Sequence, residues 1–137
     1  MNPFANGFPG TSVAETQGIR VEVRCAYIPE QSAPQARRYF FAYQVTIGNV
    51  GTVPAQLISR HWIITDGEGK EEHVKGPGVV GAQPRLSPGE THSYTSFCPL
   101  PTPSGSMRGT YRMLRDTGEQ FDAEVGAFSL MAPQLLN

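Results

Sequence analysis

A chain of 137 residues, 39% hydrophobic and 17% charged, has the length of one domain with one core and the composition of an ordered protein. Eleven basic against twelve acidic side chains leave a formal charge of −1, without the positive surplus that draws a protein to duplex nucleic acid or an anionic membrane, and neither is expected as a partner. No apolar run approaches the roughly eighteen residues of a membrane span, and Met1–Glu15 lacks the basic and apolar regions of a signal peptide, so a cytoplasmic location is expected, with Cys25 and Cys98 as reduced packing residues.

Met1–Glu15, with its Asn, Gly, Pro and Ser content, reads as a flexible tail, residues 16–131 as the domain, and residues 132–137 as a second tail. Apolar residues recur with a period of two, the signature of strands. In Ile19–Ile28, Val21, Val23, Cys25 and Tyr27 share a face opposite Arg20, Glu22 and Arg24. Pro29–Gln35 is a loop, and Arg38–Ile47 is an aromatic and β-branched strand. Gly48-Asn49-Val50-Gly51 is expected to turn, with Gly and Asn available for positive φ. Leu57–Asp66 carries two competing stripes, and the larger apolar area of Trp62 places it inward, with Leu57 and His61 on the other face. Asp66-Gly67-Glu68-Gly69 is a hairpin turn into a short strand, Lys70–Lys75. Gly76–Pro84 is a long loop, Thr91–Phe97 a strand, and Cys98–Ser106, with three prolines, an irregular connection. Met107–Leu114 and Gln120–Leu130 are the last strands. The expected fold is all-β, an immunoglobulin- or fibronectin type III-like sandwich of seven to eight antiparallel strands.

Gly76-Pro77-Gly78-Val79-Val80-Gly81 matches G-x-G-x-x-G, in which glycines let backbone amides approach a phosphate. The dinucleotide-binding version needs a helix immediately downstream, and Pro84 and Pro88 forbid one of useful length. What remains is a turn shaped for packing or for a partner, or a small nest of amides flanked by Lys75 and Arg85. Arg60, beside Trp62, either supplies a third cation to such a site or forms an orienting salt bridge with Asp66 or Glu68. The tentative ligand-binding set is therefore Gly76, Gly78, Gly81, Lys75, Arg85 and Arg60. No nucleophile elbow and no cysteine–histidine signature is present, so no catalytic residues are assigned and an enzyme is not expected.

A set of ordered motifs carries a resemblance. Phe41–Ile47, Leu57–Asp66, Gly76–Gly81 with Gln83-Pro84, Pro88-Gly89-Glu90, Tyr94-Thr95-Ser96, Gly105–Tyr111 and Phe121-Asp122 together resemble the ApaG family over roughly the last 110 residues. The resemblance implies a fibronectin type III-like sandwich, a link to cobalt tolerance and magnesium efflux, and use as a recognition domain in adaptor proteins. It therefore implies a protein partner, with a phosphate-containing small molecule and a homodimer by strand addition as further possibilities. The cobalt link directs attention to His61, His73 and His92; His61 and His73 are expected to face each other across the hairpin, but no ligand cluster is visible. No metal site and no cofactor is assigned.

Overall fold

The computed structural model describes residues 10–133. Residues 1–9 and 134–137, the outer parts of both expected tails, lie outside the described residues. Nine strands form among those described: β1 (Thr11–Thr16), β2 (Ile19–Tyr27), β3 (Tyr39–Asn49), β4 (Ala55–Asp66), β5 (Glu71–Pro77), β6 (Arg85–Leu86), β7 (Thr91–Leu100), β8 (Ser104–Arg115) and β9 (Gln120–Met131). They build two antiparallel sheets, β1-β2-β3-β7 and β5-β4-β8-β9, with β6 paired to the start of β4. This is the fibronectin type III arrangement with β1 added at one edge. The described residues contain no α-helix, only single 3₁₀ turns at Pro29–Gln31 and Pro34–Ala36, and no helix long and apolar enough to cross a membrane.

Alternation puts Val21, Val23 and Cys25 of β2 and Phe41, Tyr43, Val45 and Ile47 of β3 against Trp62, Met107, Tyr111 and Met113 of the facing sheet. Trp62, 3% exposed, meets Tyr43, Tyr111 and Phe128 edge-on at centroid distances of 5.4, 6.0 and 6.0 Å. Such pairs each add about 0.5–1.5 kcal/mol beyond the area they bury. Leu57 is buried alongside Trp62, contrary to the opposed stripes expected, because a bulge between Leu57 and Ser59 resets the alternation within β4. Burial lifts the Cys25 and Cys98 thiols to about 12, as suits free, inert packing residues.

Three expectations need correction. Residues 11–15 belong to β1 and not to a tail: they pair with β2 from Thr11↔Arg24 to Thr16↔Ile19 through a turn in which Gln17 and Gly18 both have positive φ. The tail at the other end starts later than expected, since Ala132 is buried and its N–H bonds to the Pro103 carbonyl at 2.9 Å. The irregular connection expected over 98–106 is shorter, a bend at 101–103 that holds Pro101 and Pro103. Pro99 lies within β7, where an edge strand leaves alternate N–H positions facing solvent and a missing donor costs nothing.

One flank of the sandwich is closed, where β1 and β2 pack on β9 and Glu124 N–H donates to Thr16 Oγ1 at 3.0 Å. On the other flank lie the sheet edges β5 and β7.

Candidate functional site

The glycine segment begins as strand and ends as turn. Gly76 and Pro77 extend β5, and Gly78 (φ 59°) leaves it with its N–H on the Ile58 carbonyl at 2.8 Å. Val79 and Ala82 then exchange both backbone hydrogen bonds, at 2.8 and 3.0 Å, around Val80 (φ 46°) and Gly81 (φ 79°). Two central residues with positive φ make this a type I′ turn, so no helix starts at Val79 or Val80. The amides of Gly78 and Val79 are consumed by the Ile58 and Ala82 carbonyls, so the first half of the segment does not offer the converging donors that a phosphate cradle employs.

Arg60 is directly opposite Gly76 across the β4–β5 ladder. A Cβ on Gly76 would stand 2.9 Å from both terminal nitrogens of Arg60, so the glycine makes room for the guanidinium. Nη1 donates to the Pro77 and Gly78 carbonyls, each at 3.0 Å, and thereby holds the entry to the turn. Neither expected carboxylate meets it: Asp66 accepts from the Glu68 and Lys70 amides, and Glu68 pairs with Arg37. Among the described residues Arg60 has no ion-pair partner.

Lys75 points to the outer face of the same sheet, where it shares an open cleft of about 710 Å³ with His61, Gly76, Thr110 and one side of Arg60. Arg85 is elsewhere, forked onto Asp116 (Nε–Oδ1 3.2 Å), and its hydrogen bond holds the Asp116 carboxyl below the usual carboxylate range. The fold thus gathers Arg60, Lys75 and Gly76, sets Gly78 and Gly81 in the neighbouring turn, and commits Arg85 to a different loop.

The hairpin pivots at Glu68, one residue beyond Gly67, so His61 opposes Lys75, and His73 opposes Ile63. The two imidazoles still meet diagonally, His61 Nε2 to His73 Nδ1 at 2.9 Å. Desolvation, then the Lys75 charge and His73, lower the His61 pKa. His92 sits on β7 in the other sheet. Among the described residues no three His, Cys, Asp or Glu side chains stand close enough to hold a metal.

Between the β5 and β7 edges the sandwich is hollow. A chamber of about 170 Å³ is walled by Tyr43, Arg60, Trp62, Val79, Tyr94 and Ser96. A second, of about 260 Å³, shares Tyr43, Arg60, Trp62 and Ser96 and continues past Ile64, Val74 and Met107 to Glu72. The Tyr94 and Tyr111 hydroxyls hydrogen-bond to each other, and burial raises both phenols. The Trp62 indole N–H lies toward Tyr94 but has no partner in hydrogen-bond geometry. Sequence reasoning placed Trp62 inward and missed its orphan donor, although a buried indole always raises that question. It also missed Asn49. This residue is the buried end of β3 and not a turn residue with positive φ; its Nδ2 donates to the Val53 and Leu86 carbonyls at 2.8 and 3.0 Å, and its Oδ1 accepts from Gly51 N–H at 3.0 Å.

Strand order and core define a two-sheet β-sandwich domain of the fibronectin type III class. The ApaG domain model matches residues 29–115. Protein ApaG of Anaeromyxobacter dehalogenans (strain 2CP-C) is 56% identical over 126 residues, 92% of this chain and 99% of that protein. Protein ApaG of Bordetella pertussis is 54% identical over 119 residues, 87% and 91% of the two chains. A crystal structure of a Bordetella pertussis protein described as ApaA superposes with a TM-score of 0.82 at 54% identity, covering 85% of this chain and 94% of that one. The chain belongs to the ApaG family. The C-terminal domain of wzt, at TM-score 0.55 and 9% identity, shares the fold alone.

Proposed function

We propose that this domain is a non-enzymatic cytoplasmic binding module that recognises another protein through the segment 75–84, with the Val79–Ala82 turn as its tip. The observation that supports the reading is Val80. A β-branched residue in the left-handed region costs on the order of 1–2 kcal/mol, and folding alone would favour Asn or Gly there. Val80 buries little in return: it is 67% exposed. An apolar side chain held out at that cost is what a contact surface requires and a turn does not.

Strand addition is the less favoured mode, including for a homodimer. Pro99 on β7, and Pro77 with the inward Glu72 on β5, are the kinds of residue that blunt a sheet edge. The cobalt and magnesium connection that the resemblance implies would then be carried by the partner.

Cross-linking in cells with the wild type and with Val80→Asn tests the reading. Val80→Asn should raise stability by about 1 kcal/mol, since Asn tolerates the left-handed region, while the cross-linked partner is lost. A survey that yields no reproducible partner for the wild type, or the same partner for both chains, would refute it.

A further inference from the structure

We infer that the hollow between the β5 and β7 edges is a binding site for a small monocarboxylate, with Arg60 and the Trp62 indole N–H on the carboxylate and the apolar chamber on its tail. The inference does not depend on partner recognition by the turn. It rests on an excess of donors. Arg60 uses Nη1 on two carbonyls and has no carboxylate partner among the described residues. Trp62 is 97% buried, at 3% exposure, with its N–H unsatisfied. Of the two hydroxyls in the Tyr94–Tyr111 pair, one donates to the other, which leaves one O–H free to donate again. A cation without an ion partner and a buried donor without an acceptor border the same chamber, and an anion that reached the guanidinium and drew the indole N–H from its place against Tyr94 would satisfy both.

Charge selects the anion. The first chamber offers one uncompensated positive charge, which balances a monoanion. Glu72 stands at the far end of the second chamber, four residues along β5 from Gly76 and so roughly 13 Å away at the rise of a strand. That carboxylate opposes a second negative charge on the ligand. Ile64, Val74 and Met107 between the two ends offer apolar surface. The two chambers, about 170 and 260 Å³, share Tyr43, Arg60, Trp62 and Ser96 as walls, and each is below the roughly 300 Å³ at which drug-sized sites begin, so the ligand is a small one. A short aliphatic carboxylate matches this order of features: anion at Arg60, chain along the apolar wall, no charge near Glu72.

The chain contains one tryptophan, so its indole N–H gives a single resonance that reports on the cavity directly. Butyrate, succinate and inorganic phosphate are titrated into the full chain against sodium chloride at matched ionic strength. Butyrate should shift the indole signal saturably in the millimolar range, with succinate and phosphate at least about tenfold weaker. Arg60→Met should weaken butyrate by about tenfold or more, the loss expected for a hydrogen bond to a charged group. Arg60→Lys, which keeps the charge but loses the fork, should fall between and serves if the methionine variant does not fold. In Trp62→Phe, backbone amides of the β4–β5 hairpin replace the indole as reporter, and butyrate should again bind several-fold more weakly. An indole that responds to butyrate no more than to chloride, tighter binding of phosphate or succinate, or unchanged affinity without the guanidinium would each overturn the inference.

Discussion

Replacing Gly76 with Ala should destabilise the protein only while Arg60 is present. The added Cβ would lie 2.9 Å from both terminal nitrogens of the guanidinium, which is the far end of a flexible chain and moves aside without backbone strain. The cost is therefore not the overlap itself but the two hydrogen bonds to the Pro77 and Gly78 carbonyls that the displaced group gives up. A hydrogen bond to a charged group contributes about 1.5–3 kcal/mol when buried, and half exposure reduces that to about 1 kcal/mol or less for each. Against a loss of about 1–2 kcal/mol stands a gain of about 0.5–1 kcal/mol for Ala over Gly inside a strand. The net effect in the wild type is a destabilisation of up to about 1.5 kcal/mol. In an Arg60→Ala background the same substitution should stabilise by about 0.5–1 kcal/mol, a coupling of about 1–2 kcal/mol. Urea midpoints of the four proteins, compared at constant slope, measure it. Equal effects of Gly76→Ala in both backgrounds would show that the guanidinium does not lie over Gly76.

Asn49→Ala should cost about 2–4 kcal/mol by thermal or urea unfolding, because it strands the Val53 and Leu86 carbonyls and the Gly51 amide at a buried corner. A loss under about 1 kcal/mol would mean that water replaces the side chain there. His61, whose folded pKa lies below its ordinary 6.5, makes stability pH-dependent. As pH falls below 6.5 the unfolded chain takes the proton first, so the stability present above 6.5 declines until pH passes the folded pKa. Lys75→Ala should move the His61 titration upward by NMR, and an unmoved titration would contradict the charge contribution.

Period two was legible in most of the strands, and where the two stripes of β4 competed the larger apolar area of Trp62 placed it in the core. The prolines at 84 and 88 likewise excluded a helix after the glycines. What alternation could not reveal were the places where the chain breaks its own period. The bulge at Leu57/Ser59 lets both stripes of β4 reach the interior, and nothing in Leu-Ile-Ser-Arg marks it. β1 escaped notice because Thr-Ser-Val-Ala-Glu-Thr buries no large side chain; its pairing is a backbone matter. For the glycine segment, residue identity indicated that backbone would be accessible but not which atoms it would present. Carbonyls face Arg60, and the amides face inward to Ile58 and Ala82. The grouping of Lys75 with Arg85 failed for a related reason, since Asp116, 31 residues away, claims the Arg85 guanidinium.

The position of Arg60 ties the proposed cavity to the proposed contact turn. With β1 and β2 packed on β9, one flank of the sandwich is sealed, and hollow space collects on the other, between edges whose prolines and inward Glu72 discourage an added strand. On that flank the turn protrudes and the cavity recedes, and one guanidinium serves both: Nη1 holds the carbonyls of residues 77 and 78 while the same group walls the chamber. An anion bound in the chamber through the remaining guanidinium N–H groups draws Arg60 toward itself and weakens the bonds that Nη1 gives those carbonyls. Occupancy should therefore loosen the turn at Gly78 and alter how Val80 is presented. Amide exchange at Gly78 and Ala82 reads this directly: butyrate should accelerate it in the wild type and leave it unchanged in Arg60→Met, whereas equal acceleration in both would separate the turn from the cavity.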